Sequence, residues 1–279
     1  MTTDSIDLPA YLARIGYDGP TGAPPTLATL QRVQICHACS VPFENLDVLL
    51  LRGINLDMES VQRKIVSERR GGYCFEQNGL LLAALDAMGF AVEGLSARVR
   101  VAAAREFMPA RTHLFGRVTL DGVPWLVDVG LGSLTPTGPI RMDTAEPQAT
   151  PHEPRRIVPA DGAHVGNGMA TWFHQALLGD QWQDVCEFTG ERMPAIDRQV
   201  SNWWTSTNPQ SKFRLNIMAA IASHDGTRHA IATREYTHRR GAEILEREVI
   251  GSRERLLVVL TERFGLVMPG ESVFGIEGL

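Results

Sequence analysis

The sequence predicts an α+β fold. Apolar residues recur at helical spacing as far as Gly89, the period changes to two from Ala91, and one amphipathic helix follows a second strand-rich stretch near the C-terminus. Helices first, strands second and mixed elements last is an α+β layout.

The elements follow in order. Leu8, Tyr11, Leu12 and Ile15 hold the i, i+3, i+4, i+7 spacing of a helix that Gly16 closes. Pro24-Pro25-Thr26 introduces a second helix with Leu27, Leu30 and Val33 on one side, and Met58, Val61 and Ile65 mark a third. A fourth begins near Cys74, buries Phe75, Leu82 and Leu85, and ends at Gly89. Beyond it Ala97, Val99 and Val101 alternate with Arg98 and Arg100, the period of a strand. His113 to Leu120 reads as a strand, Asp121-Gly122 as a hairpin turn, and Val123 to Val129 as the return. A two-residue loop sets Leu120 opposite Val123 and Phe115 opposite Asp128, with Pro124 removing one ladder donor. Residues 135–168 are rich in Pro and Gly and read as loops with short strands. Residues 213–249 alternate again, turning at Asp225-Gly226 and near Gly241. Ser252 to Phe264 is the closing helix, with Leu256, Leu257, Leu260 and Phe264 on one face and Gly265 as its cap.

At 279 residues the chain is long for one compact core, so two or three packed subdomains are expected. An apolar fraction of 44% and a charged fraction of 21% are ordinary for a globular protein. The net charge of -5 argues against a nucleic-acid role. Lys64 and Lys212 are the only lysines, so arginine carries nearly all positive charge, which reads as codon bias. No apolar run approaches the roughly 20 residues of a membrane span, and Met1-Thr2-Thr3-Asp4 does not open a signal peptide. Cytoplasmic residence is the expectation.

The cysteines are Cys36, Cys39, Cys74 and Cys186. Cys36-His37-Ala38-Cys39 has Cys-x-x-Cys spacing, but no second Cys/His pair completes a zinc site, and the pair lies inside a helical run. It reads as buried helix residues, with no metal expected. Cys74 differs, because Arg70-Gly71-Gly72-Tyr73 runs as a flexible turn into a helix and leaves the sulfur in its first turn. Unpaired N–H groups and the positive end of the helix dipole there favour a reactive thiolate. A small buried core residue is the other reading. A thiol nucleophile needs a base, and the base an orienting group. The hairpin register makes His113 the diagonal neighbour of Asp128, roughly 7–8 Å apart at the backbone and within reach of an Asp–His hydrogen bond. A surface histidine and a strand-end aspartate are the alternative.

Arg70-Gly71-Gly72-Tyr73-Cys74-Phe75-Glu76-Gln77-Asn78, the upstream Pro42-Phe43-Glu44-Asn45-Leu46-Asp47, and the order Cys74, His113, Asp128 closely resemble the arylamine N-acetyltransferases. Asn202-Trp203-Trp204-Thr205-Ser206-Thr207-Asn208-Pro209 with Phe213 resembles a later stretch of that family, whereas the last sixty or so residues carry little signature. The resemblance implies a helical bundle carrying the nucleophile (1–89), an antiparallel β-barrel carrying His and Asp (90–195) and a C-terminal α/β lid (196–279) around a cysteine-protease-like core. It implies Cys74, His113 and Asp128 as catalytic residues in ping-pong acetyl transfer from acetyl-CoA, through an acetyl-cysteine, to an arylamine or arylhydrazine. By the same resemblance Phe43, Val99, Leu131 and Trp204 line the substrate cleft, and Thr112 and Gly132 lie near the CoA arm. Leu131 and Trp204 depart from a common aromatic residue and a common tyrosine of the family. Arg70 and Glu44 are expected to pair in support of the nucleophile loop, with burial making that pair matter. No Walker-type glycine loop is present, so dispersed groups must meet the CoA phosphates. No permanently bound cofactor is expected, and the partners are acetyl-CoA and a small aromatic amine or hydrazine, in a monomer or homodimer. The same triad also suits a thiol hydrolase or an amide synthase that releases a polyketide chain, and an acyl-CoA or small-molecule binding module without turnover is the non-enzymatic reading.

Overall fold

The computed structural model describes residues 5–160 and 170–276. Residues 1–4 and the end of the Pro/Gly-rich stretch lie outside them. Helix α1 (Leu8–Arg14) is capped by Asp7, whose carboxylate accepts from Ala10 N, and α2 (Leu27–Ser40) by Thr26. Strand β1 (Phe43–Glu44) and the short α3 (Leu46–Leu49) follow, then α4 (Met58–Gln62), which runs into a wider π-type turn over Arg63–Ser67. Helix α5 (Cys74–Ala87) begins at the expected cysteine and buries Phe75, Leu82 and Leu85. With α1 and α2 it forms one core, into which Tyr11, Leu30, Val33 and Leu81 pack.

Seven antiparallel strands make the second layer: β2 (Ala91–Val99), β3 (His113–Leu120), β4 (Val123–Val127), β5 (Ile140–Arg141), β6 (Arg155–Pro159), β7 (Trp172–Leu178) and β8 (Gln181–Arg192). Their order is β5-β4-β3-β2-β8-β7-β6. The sheet nearly closes into a barrel, because Gln148 pairs by backbone with Arg155 of β6 and by side chain with Arg141 on β5. Leu95, Phe115, Leu126, Ile157 and Phe188 fill its interior. The β3–β4 register is the expected one, Leu120 opposite Val123 and Gly116 opposite Val127. Asp121 and Gly122 both have positive φ (50° and 78°), the geometry of a two-residue turn suited to twisted strands.

Helices α6 (Ala195–Thr207) and α7 (Lys212–Leu215) lead into β9 (Met218–Ala222), β10 (Thr227–Ala232), β11 (Glu235–Arg240), β12 (Glu243–Val249) and α8 (Arg253–Phe264). Ser252 caps α8 at its start and Gly265, in the left-handed region, at its end. Leu256, Val259, Leu260 and Phe264 pack with Ile231 and Tyr236 of the sheet and with Ile217 just before β9. That sheet has the order β1-β9-β10-β11-β12, so the short strand between α2 and α3 is its outer member. Phe43 thereby lies opposite Ala220, and the N-terminal segment forms part of the C-terminal sheet. No helix among the described residues is long and apolar enough to cross a membrane.

Candidate active site

Three elements converge on one cavity of about 470 Å³. Helix α5 supplies Cys74, the barrel supplies His113 and residues 130–133, and the C-terminal sheet supplies Ala219, Ala220 and Ala230–Ala232. The segment leading to Cys74 is not a flexible turn. Gly72 pairs with Phe43, and Gly72 N donates to the Pro42 carbonyl. The glycines permit close packing, since a Cβ on Gly71 would collide with the Pro42 carbonyl oxygen and one on Gly72 would lie 2.9 Å from Glu76 Oε2. Glu76 then reaches back to Tyr73 N at 2.9 Å and satisfies an N–H at the helix start.

Cys74 is buried yet lines the cavity, with its sulfur 3.6 Å from the Thr112 carbonyl oxygen. His113 Nε2 lies 2.6 Å from Asp128 Oδ2, which leaves Nδ1 for the sulfur, and both His113 and Cys74 line the cavity. Burial disfavours the imidazolium, but the Asp128 carboxylate and the Cys74 sulfur outweigh it and raise the His113 pKa to about 10. Asp128 follows β4 and is held in place: Asn78 Nδ2 and Gly130 N each donate to its Oδ1 at 2.8 Å. Asn78 also accepts from Val129 N at 2.9 Å. Gly130 packs so tightly on the nucleophile that a Cβ there would sit 2.6 Å from Cys74 Cα.

Phe43, Val99, Thr112, Leu131, Gly132 and Trp204 all line the same cavity. Arg70 and Glu44 lie beneath it as a buried ion pair, with Arg70 Nη2 2.7 Å and Nε 3.1 Å from Glu44 Oε1. The pair belongs to a larger network. Arg70 also meets Asp47 at 3.1 Å, and Lys64 bridges Asp47 at 2.9 Å and Glu76 at 2.7 Å. Composition gives Lys64 no role, whereas here it is a cation shared among three carboxylates, Glu44, Asp47 and Glu76. Burial disfavours the Lys64 ammonium, but Glu44, Glu76 and Asp47 reverse this and raise its pKa.

Sequence reasoning missed Asn78, although its spacing of four from Cys74 puts both on one side of α5. It also missed the small residues of β9 and β10, whose run of alanines leaves space for a ligand. Cys36 and Cys39 lie in α2 as free thiols, and among the described residues no three His, Cys, Asp or Glu side chains are placed to hold a metal.

A cysteine opening a helix, with a His–Asp pair on an adjoining barrel, is the layout of the cysteine-protease-like fold class. A family model described as N-acetyltransferase matches residues 26–273. The arylamine N-acetyltransferase of Mycobacterium tuberculosis is 39% identical over 269 residues, covering 94% of this chain and 90% of the relative. The chain therefore belongs to the arylamine N-acetyltransferase family and is an acyltransferase. Among solved structures, the Nocardia farcinica arylamine N-acetyltransferase superposes with a TM-score of 0.87 at 32% identity, covering 96% of this chain and 92% of that one. The Mycobacterium marinum enzyme in complex with CoA gives 0.85 at 36% identity, covering 93% and 92%.

Proposed function

We propose that the chain moves an acetyl group from acetyl-CoA to the nitrogen of an arylamine or arylhydrazine in two half-reactions, with Cys74 carrying the group between them. One observation carries this reading: Cys74 and His113 line one cavity, and His113 is held by the Asp128 carboxylate at 2.6 Å, so a thiol nucleophile, its base and the group that orients the base stand together. The thiolate attacks the acetyl carbonyl carbon, and the tetrahedral oxyanion meets N–H groups in the first turn of α5. Collapse breaks the bond to the CoA sulfur, which leaves with the proton from His113. The neutral amine then attacks the acetyl-cysteine, His113 accepts the nitrogen's proton, and the Cys74 thiolate is restored.

In this reading Asp128 orients His113 and stabilises its charge, while Asn78 orients Asp128. Phe43, Val99, Leu131 and Trp204 hold the aromatic acceptor, and Thr112 and Gly132 border the CoA arm. Leucine at 131 gives up aromatic contacts worth about 0.5–1.5 kcal/mol, which shifts acceptor preference towards rings that do not rely on stacking. Glu44 and Arg70 hold the loop ahead of Cys74. The M. marinum relative, solved in complex with CoA, supports the donor. The arylamine N-acetyltransferase name of the relatives supports the acceptor class. Four free cysteines suit a reducing compartment, and we assign the enzyme to the cytoplasm.

Mass spectrometry after mixing with acetyl-CoA tests the reading. The expected result is one acetyl group on Cys74, lost on adding an arylamine, with parallel double-reciprocal lines in the steady state. Intersecting lines, or CoA release at full rate without an acceptor, would overturn it.

A further inference from the structure

The cavity has an unusual charge pattern. Among the described residues no Asp, Glu or Arg lines it, and its only ionisable side chains besides Cys74 are His113 beside the sulfur and Lys212. Lys212 opens α7 and its side chain is exposed, so it stands at the mouth. The backbone beneath it is fixed from two directions. Ser211 Oγ donates to the Thr205 carbonyl at 2.6 Å, and Asn45 Nδ2 donates to the carbonyls of Phe213 and Asn216 at 2.7 and 2.8 Å. No ion pair among the described residues engages the ammonium, whereas Arg105 and Arg111, which do not line the cavity, already meet Asp184 and Glu191. A rigidly mounted, unpaired cation at the rim of an acid-free cavity matches a ligand with a reactive group at the sulfur and negative charge at its far end.

We propose that Lys212 is a specificity-determining residue of the acetyl-donor step, binding the phosphates of CoA and so favouring a phosphorylated donor over a neutral thioester. This rests on the acetyl-CoA reading and names the contact through which the donor is selected. An anion on the acceptor, such as a ring carboxylate, is the competing use of the same charge.

The test compares acetyl-CoA with S-acetylpantetheine, which keeps the thioester and arm but has no phosphate. Lys212→Ala should lower kcat/KM for acetyl-CoA about five- to tenfold, the size expected of a partly exposed charge-assisted contact, and shift that for S-acetylpantetheine less than about twofold. Lys212→Arg should restore most of the loss for acetyl-CoA, and added salt should weaken acetyl-CoA use by the unaltered enzyme more than by Lys212→Ala. Equal losses with both donors, no loss with either, or a loss seen only with a carboxylated acceptor would overturn the proposal. Failure of both donors to acetylate Cys74 in the unaltered enzyme would instead sink the acetyl-transfer reading on which it stands.

Discussion

Two buried imidazoles flank helix α5, and their pKa values are shifted in opposite directions. His37 lies between the Tyr11 hydroxyl at 2.8 Å and the Gln77 amide oxygen at 3.2 Å. Burial, aided by nearby Arg14, outweighs the Gln77 hydrogen bond and lowers its pKa to about 3. His113 is as deeply enclosed, yet Asp128 turns the balance and its pKa rises to about 10. Burial is common to both, so the partner decides the charge: a neutral amide and hydroxyl hold a structural imidazole, and a carboxylate makes an imidazolium that can serve a thiol.

Removing the deciding partner is the strongest way to break this contrast. Asp128→Asn should keep the Asn78 and Gly130 contacts through its amide oxygen, yet lose about 10³- to 10⁴-fold in kcat/KM with the fold retained, checked by steady-state kinetics and circular dichroism. Arg70→Ala asks whether the nucleophile loop depends equally on its charged support. Stranding Glu44 among buried groups should cost about 3–5 kcal/mol in urea unfolding, while Cys74→Ala stays folded.

The pH dependence of stability should differ in sign between the two imidazoles. His113 has a folded pKa above its ordinary 6.5, so its stabilisation is complete below 6.5 and is lost as pH rises through about 10. His37 has a folded pKa below 6.5, so its stabilisation is complete above 6.5 and is lost as pH falls through about 3. Each contributes a slope of up to about 1.4 kcal/mol per pH unit, so His113→Gln should flatten the alkaline limb of the stability profile and His37→Gln the acid limb. The smallest effect falls on His37→Gln at neutral pH, about 1 kcal/mol of stability with acetyl transfer within about twofold of the unaltered enzyme.

Local chemistry made much of this legible. Asp121-Gly122 dictates a two-residue turn, which fixes the register and brings His113 to Asp128. The helical period from Phe75 to Leu85 set Cys74 at a helix start. What sequence patterning missed depends on long-range contacts. Nothing local shows Lys64 reaching three carboxylates, or Phe43 joining a sheet whose other strands begin at Met218. In α6 Ile196, Val200 and Trp203 face solvent while Asn202 and Thr205 are buried, so its inner face does not follow from apolar patterning. The double glycine looked like a flexible element and is a packing one, because only the folded chain brings Pro42 against it.

The central claim is that His113 is a resting cation because of Asp128. Nitrogen-15 NMR of the imidazoles at pH 8, with His113 assigned by its disappearance in His113→Gln, tests it directly. The account predicts two protonated ring nitrogens for His113 and a neutral ring for His37. A neutral His113 at that pH would contradict it.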